Sequence, residues 1–392
     1  MKVLLIHNYY QQAGGEDGVF LEEADLLEAH GHEVTRYQLH NDQIATMKRA
    51  VLVEKTIWNR SAYRDLEHLI GRTRPDVTHF HNTFPLVSPA GYYAAKAAGL
   101  PVIQTLHNYR LLCPNALFYR NGGPCEDCLG KTVTWPGVIH GCYRGSSAAS
   151  AVVTAMLSAH RAAGTWTRAV DKYVVLTEFA RRKFVDGGLP TGKVVVKPNF
   201  VRTDPGVGAG RGGYALFVGR LSPEKGVNTL LEAWSRFGKS IPLKVAGDGP
   251  LEGRVAAAAK KVTGLEYLGH KRVEEVRMLM KGAKMLVFPS EWYETFGRVA
   301  AEAFAAGTPV VASDIGAVAE IVDDGRTGLR FRPGDARHLA AQVERMLSYP
   351  REYARMRREA RAEYESEYTA ERNYEMLMSI YESALKGAEV PE

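Results

Sequence analysis

The stretch Glu291–Phe331, EWYETFGRVAAEAFAAGTPVVASDIGAVAEIVDDGRTGLRF, decides how the rest of the chain is read. It follows Met285–Pro289 (MLVFP), a short apolar run of the kind that forms a buried parallel strand. A loop comes next, then a helix beginning near Thr295–Gly297 and stopped by Gly307, where a C-terminal cap favours glycine. This layout sets Glu294 at the carboxyl end of a strand, where open α/β sheets take their ligands. Glu302 falls inside the helix beside a stripe of small apolar residues, Val299, Ala303 and Ala306. A carboxylate at the border of a buried stripe needs hydrogen-bond donors, and ligand hydroxyls would serve. The unpaired N–H groups of Phe296, Gly297 and Arg298 would make an anion site at the helix start. Polyol beside phosphate is the chemistry of a nucleotide sugar. A lone glutamate on a helix is more often a solvated residue or a dipole partner, so the pair gains meaning only from the whole stretch.

Upstream, strand and helix alternate: Tyr214–Gly219, Val227–Phe237, Pro242–Ala246, Leu251–Lys261, Leu265–Leu268 and Val273–Gly282. Val227, Leu230, Leu231 and Trp234 recur at helical spacing, as a core-facing helix requires. Such alternation predicts a parallel sheet with helices on both faces. The loop Gly219-Arg220-Leu221-Ser222-Pro223-Glu224-Lys225-Gly226 follows the first of these strands, and Gly247-Asp248-Gly249-Pro250 a later one. Arg220 and Lys225 there would neutralise a diphosphate, while glycine permits the turn.

The first half reads the same way. Lys2–His7, Val34–Leu39, Asp76–His81, Pro101–Leu106, Lys172–Leu176 and Lys193–Lys197 are predicted strands. A turn carrying Gly14 and Gly15 opens the helix Val19–His30, without a G-x-G-x-x-G fingerprint. His107 stands at a strand's carboxyl end, and His79 and His81 at an earlier one are further candidates for acceptor contact. Pro198-Asn199 and the glycine-rich run Pro205–Gly213 mark the boundary. The expected domains are 1–198, with an irregular insertion over 108–145, and 199–371; a terminal helix over 372–388 carries the stripe Tyr374, Leu377, Met378, Tyr381.

At 392 residues the chain is long enough for two full cores, and 45% apolar with 24% charged residues fits a soluble globular protein. A formal charge of +6, from 50 basic and 44 acidic residues, implies no nucleic acid. MKVLLIHNYY reads as a strand rather than a cleavable leader, which predicts a cytoplasmic protein. Basic positions Lys48, Arg49, Arg181, Arg182 and Lys183 leave room for peripheral contact at the inner membrane surface.

Glu294-Thr295-Phe296-Gly297, Glu302 at E-x7-E spacing, and Gly307-Thr308-Pro309-Val310-Val311-Ala312-Ser313-Asp314 closely resemble the donor-site signature of glycosyltransferase family four. The Gly219–Gly226 loop is a second match. The resemblance covers both halves and implies a retaining hexosyltransferase of the GT-B fold, two Rossmann-like domains facing across a cleft. It implies Arg220 and Lys225 on the diphosphate, Glu302 on the ribose, Glu294 on the sugar hydroxyls, and His107 approaching the sugar from the first domain. Gly14, Gly15, Gly219, Gly247, Phe296, Gly297 and Arg298 complete the expected donor site. Arg298 departs from the aliphatic residue common at that position. The resemblance also carries the terminal helix back to the first domain. HNTFPLVSP and LHNYRLLCP resemble enzymes of cell-surface polysaccharide synthesis, so a glycan, a lipid-linked sugar or a small metabolite is the implied acceptor and a UDP- or GDP-sugar the donor. No D-x-D triplet occurs, which argues for cations and dipoles rather than a catalytic metal.

The four cysteines fall as Cys113-x11-Cys125-x2-Cys128-x13-Cys142 among prolines and glycines. Four thiolates around a C-x2-C centre would close a structural zinc site in an insertion lacking its own core; reduced thiols and a disulfide are the other readings. Two rival functions follow from these features: a nucleotide-sugar epimerase of the same fold, and a zinc-dependent nucleic-acid-binding module.

Overall fold

A computed structural model describes residues 1–12, 14–238 and 240–388. The chain forms two compact units. The first comprises Met1–Phe118, Glu126–Lys197 and the chain from Asn373 onward; the second comprises Tyr119–Cys125 and Pro198–Arg372.

The first unit is built on strands β1 (Lys2–Tyr9), β2 (Glu33–His40), β3 (Val77–Asn82) and β4 (Val102–Thr105). A small hairpin, β5 (Tyr119–Arg120) and β6 (Gly123–Pro124), interrupts them and groups with the second unit. β7 (Lys172–Val175) and β8 (Val194–Val196) complete the first sheet. All pairings are parallel, in the order β2-β1-β3-β4-β7-β8. β3 is buried at every position, as a central strand covered on both faces must be. The terminal helix Ala370–Ala388 closes one face: Leu377, Ile380, Tyr381 and Ala384 share a core with Val3, Leu5, Phe20, Val77, Ile103 and Val174.

The second unit carries β9 (Ala215–Val218), β10 (Leu243–Ala246), β11 (Leu265–Gly269), β12 (Met285–Phe288), β13 (Val310–Ser313) and β14 (Gly328–Phe331). Its order is β11-β10-β9-β12-β13-β14, again all parallel. Counted within the unit this is 3-2-1-4-5-6, the doubly wound dinucleotide-fold order. Val227, Leu230, Leu231 and Trp234 are buried in one cluster with Phe217, Val245, Val287 and Leu329. Asp335 accepts from His338 N at 2.9 Å and caps the helix Ala336–Ser348.

The glycine-rich run expected to mark the boundary lies on the second unit. Gly208 N donates to Ala306 O at 2.9 Å, Gly210 N to Lys281 O at 3.1 Å and Gly212 N to Gly282 O at 2.9 Å. A Cβ at Gly208 would collide with the backbone of Lys281, so glycine is needed for contact rather than for looseness.

In an open α/β sheet the ligand crevice opens where the winding direction reverses, beyond the carboxyl ends of the two strands at that point. For the second unit those strands are β9 and β12. For the first they are β1 and β3.

Candidate functional site

The loops after β9 and β12 are the two stretches singled out in the sequence, and the fold brings them together. After β9 a single tight turn, Pro223–Lys225, ends at Gly226 with φ +69°. A side chain there would strike Pro289 O at the end of β12, so glycine lets the two loops close on each other. Lys225 Nζ donates to Glu294 Oε1 at 2.6 Å, and Ser290 Oγ donates to the same oxygen at 2.7 Å. Glu294 is 7% exposed, and Lys225 also stands 5.3 Å over the ring of Trp292. Arg220 is exposed at the end of β9, and no side-chain partner for it is found among the described residues. Gly219 and Gly247 meet backbone to backbone beneath it, where a Cβ on Gly247 would run into Gly219 O. This places a free guanidinium and a paired ammonium at the switch point, with a carboxylate behind them.

Gly297 is the N-cap of the helix Arg298–Ala305. Phe296 is buried against Tyr368, with ring centroids 5.7 Å apart. Arg298 Nε donates to Glu302 Oε1 at 3.1 Å, one helical turn on. The departure at Arg298 therefore supplies a hydrogen-bond donor to the carboxylate expected to hold ribose, and the i,i+4 spacing already offered that pairing.

In the first unit His107 follows β4. Its Nε2 lies 3.1 Å from His81 Nδ1. His81 Nε2 lies 3.3 Å from Glu23 Oε1, and His79 Nδ1 3.0 Å from the same oxygen. Lys197 Nζ donates to Glu23 Oε2 at 2.9 Å and to Asn373 Oδ1 at 3.0 Å. Glu23, His79, His81 and Lys197 are all within 2% of complete burial. Burial alone would raise the Glu23 carboxyl, but the Lys197 ammonium, His79 and His81 outweigh it and hold the group well below its usual range. Burial pushes His81 down to about 4 against the pull of Glu23. Burial, then His81 and His7, push His107 well below the ordinary histidine range. Both shifts favour the neutral imidazole.

Glu23, His79 and His81 present ligand atoms within 4.8 Å of one another, a spacing a metal ion could use. The cluster already contains its own cation. Lys197 neutralises Glu23, while His79 spends Nδ1 on the Tyr381 hydroxyl and Nε2 on Thr105 Oγ1, both at 2.8 Å.

Gly14 caps the helix Gly15–Ala29, and its N–H donates to Asp17 Oδ2 at 2.9 Å. Asp17 Oδ1 is also 2.7 Å from His7 Nε2. The Gly14-Gly15 turn thus has a carboxylate of its own at the helix start. Beside it, Asn108 Nδ2 donates to Glu16 Oε2 at 3.3 Å, while Glu16 Oε1 is shut off from solvent and has no hydrogen-bond partner among the described residues. Burial and the neighbouring Asp17 raise the Glu16 carboxyl to about 8, against Asn108 and Arg110. The folded state then holds a proton that the unfolded chain releases above about 4.5. Glu16 therefore stabilises the fold below that pH, and its contribution is lost as pH rises through about 8. Melting temperatures from pH 5 to 9 should fall less steeply for Glu16→Gln than for the parent; parallel curves would show that Glu16 titrates normally.

Among the described residues no three of Cys113, Cys125, Cys128 and Cys142 come within 4.8 Å of one another, and none is in a disulfide. Cys125 closes the hairpin segment that groups with the second unit, whereas the other three belong to the first. Cys113 and Cys128 are buried, and the Cys128 thiol donates to Thr134 O at 3.9 Å. The insertion has apolar anchors of its own: Tyr109 and Phe118 are fully buried, with Tyr109 5.6 Å from Phe184. Of the basic positions noted above, Arg181 pairs with Glu178 and Lys183 with Glu126. No described helix is long and apolar enough to cross a membrane.

Two doubly wound units, one with cations and a carboxylate at its switch point, define the class of a nucleotide-binding α/β protein of GT-B architecture. The chain belongs to the GT-B glycosyltransferases. Residues 13–205 match the model Glycosyltransferase Family 4, and residues 209–363 match Glycosyl transferases group 1. It is 36% identical over 183 residues to a glycogen synthase of Mycobacterium tuberculosis, covering 45% of this chain and 44% of that protein. The chain thus spans about half the length of the curated relatives it matches. Its fold is similar to that of Anabaena HepE solved with UDP and glucose, with a TM-score of 0.70 at 16% identity over 98% of this chain and all of that one. It is also similar to sucrose-phosphate synthase from Thermosynechococcus elongatus, with a TM-score of 0.73 at 16% identity over 98% and 99% of the two chains.

Proposed function

We propose that the chain is a retaining glycosyltransferase that moves a sugar from a nucleoside-diphosphate sugar to a hydroxyl of a glycan, a lipid-linked sugar or a small metabolite. The observation that carries this reading is the meeting of Lys225 with Glu294 beside the exposed Arg220 at the second unit's switch point. In the reaction the bond from the anomeric carbon to the diphosphate oxygen breaks, and a bond to the acceptor oxygen forms as that hydroxyl loses its proton. Negative charge grows on the departing diphosphate. Arg220 and Lys225 are the groups that meet it, so the charge is stabilised by fixed cations instead of a bound metal. Glu294 takes hydrogen bonds from sugar hydroxyls, and Glu302, held by Arg298, from the ribose. His107 contacts the sugar. Four cysteines outside any disulfide fit a reducing, cytoplasmic setting.

HepE was solved with UDP, which favours a uridine donor here over a guanosine one. Thermal melting with a panel of UDP- and GDP-sugars tests the reading. A bound donor at about 100 times its dissociation constant should add roughly 2.7 kcal/mol of stability. A UDP-sugar is expected to raise the melting temperature saturably, and one that does should be consumed when an acceptor is present. A panel with no shift and no transfer rejects the proposal.

A further inference from the structure

We propose that the first unit docks on an anionic lipid bilayer through the face formed by Val133, Trp135, Ile139 and the outer side of the helix Ser147–Ala162. This face is distinct from Arg181 and Lys183, whose charges are already paired within the chain.

The segment before that helix turns its polar and small residues inward. Thr134 is buried, and its hydroxyl lies 3.0 Å from Thr154 Oγ1, which pins the segment to the helix Ser147–Ala162. Ser158 Oγ donates to Thr132 O at 3.4 Å, and Arg161 Nη1 to the same oxygen at 2.9 Å. The short helix Trp135–Ile139 packs by Pro136 and Gly137, and a Cβ on Gly137 would meet the Pro114 ring. Trp135 and Ile139, at i and i+4, are left outside, 53% and 66% exposed, with Val133 at 46%. Next to them the helix Ser147–Ala162 exposes Ala148, Ala151, Ala155, Ala159 and Ala162, the three- and four-residue spacing of one helical face. Thr154, Ser158 and Arg161 tie one flank of that face to the Val133 segment. His160, whose Nε2 lies 2.8 Å from Ile57 O, ties the other flank to the helix Arg49–Ile57. The alanines thus adjoin Val133, Trp135 and Ile139, and an apolar surface of this kind marks a place of contact.

Charge decides what covers it. From Leu129 to Val170 the chain has no Asp or Glu. Lys131, Arg144 and Arg168 are exposed before, between and after the apolar stretches. Lys131 Nζ stands 5.7 Å over the Trp135 ring, Arg144 donates to Gln11 Oε1 and Arg168 to Ala163 O, so none of the three is neutralised there. A symmetric contact with a second copy would set these cations against themselves with no carboxylate on the face to offset them. Lipid phosphates supply the opposite charge, while the layer beneath the headgroups takes the tryptophan and the aliphatics, the combination that holds amphipathic surfaces at a membrane interface. No described helix is long and apolar enough to cross, so this contact is peripheral.

The face also starts at the functional end of the unit. Tyr143, just ahead of the helix Ser147–Ala162, meets Phe84 with ring centroids 5.7 Å apart, and Arg110 lies 4.4 Å over the Phe84 ring. Phe84 follows β3 and Arg110 follows β4, on the side where that sheet's crevice opens. A bilayer on this face would border the crevice. Resting on the transferase reading, that favours a lipid-linked sugar among the acceptors named above.

Flotation with vesicles of equal parts phosphatidylglycerol and phosphatidylcholine, against pure phosphatidylcholine, tests the docking with no sugar present. The parent should float with the anionic vesicles at low salt, much less at high salt, and not with the neutral ones. Trp135→Ser combined with Ile139→Ser should weaken binding by at least about tenfold. Lys131→Glu combined with Arg144→Glu should weaken it by a similar factor at low salt. These side chains are exposed, so both double variants should melt like the parent and respond to the donor panel as it does, which keeps a folding defect apart from a docking one. No flotation of the parent, equal flotation with neutral vesicles, or parent-like binding by Trp135→Ser/Ile139→Ser overturns the proposal. Sedimentation showing a dimer that this variant dissolves, with vesicles leaving the parent unbound, overturns it too, since the face would then join copies of the chain. Each of these results leaves the transferase reading standing, because the donor panel is scored without vesicles.

Discussion

Replacing Lys225 by methionine is expected to lower kcat/KM for sugar transfer by about 100- to 1000-fold, the scale of a lost preorganised contact to developing charge. Lys225 is a closely held cation of the second unit. Its turn is set by Gly226, its ammonium is aimed by Glu294 at 2.6 Å, and the Trp292 ring flanks it at 5.3 Å. Charge at the leaving oxygen grows only as the glycosidic bond breaks, so the loss should appear in kcat more than in donor affinity. Methionine keeps the apolar stem that covers Trp292, but it leaves Glu294 with Ser290 as the donor to Oε1. Some loss of stability will follow from that carboxylate. Arg220→Ala separates the two effects, because Arg220 is exposed and its removal orphans no buried group. It should also slow transfer, with melting unchanged. If Lys225→Met and Arg220→Ala both transfer sugar at the parent rate, the diphosphate does not bind at this switch point.

The proposed donor side was legible in the sequence because each of its parts is local. Val227 through Trp234 repeats at helical spacing, the β12 run is apolar, and the Gly219–Gly226 and Glu294–Glu302 motifs are each contiguous. What joins Lys225 to Glu294, 69 residues apart, is the adjacency of β9 and β12. That adjacency comes from the 3-2-1-4 winding order, which alternation implies without spelling out. The histidine network was harder to see. His107, His79 and His81 were visible as strand ends, but their partners are Glu23 on a helix, Lys197 after β8 and Tyr381 near the terminus. Lys197 lies 174 positions from Glu23, and Tyr381 302 from His79. A lysine after an apolar strand reads as a surface residue, and only packing of the terminal helix shows it to be enclosed. The cysteine segment was legible only in its spacing. That spacing suggests a metal, while Tyr109 and Phe118, aromatics in an irregular segment, carry no local pattern that marks them as buried anchors.

Lys197→Met should destabilise the first unit by about 3–5 kcal/mol, the range for breaking a buried ion pair from one side. Lys197 is 1% exposed and Glu23 fully buried, so water cannot take over the neutralising role. Methionine fills most of the volume, so the cost is electrostatic and not a cavity. Glu23→Gln in the Lys197→Met background removes the stranded charge and should recover a large part of the loss. The pH dependence gives a second check. In the parent protein the folded Glu23 pKa is depressed below 4.5, so its stabilisation is present above that pH and lost as pH falls further. Without Lys197 the folded pKa is raised instead, so the variant should regain stability relative to the parent as pH falls from 7 toward 5. Hydrogen exchange of β1 and β3 amides reports on the first unit alone, which avoids treating a two-unit chain as one transition. A single variant within about 1 kcal/mol of the parent, or a double variant no better than the single, would mean that Glu23 is not held as a buried carboxylate by Lys197.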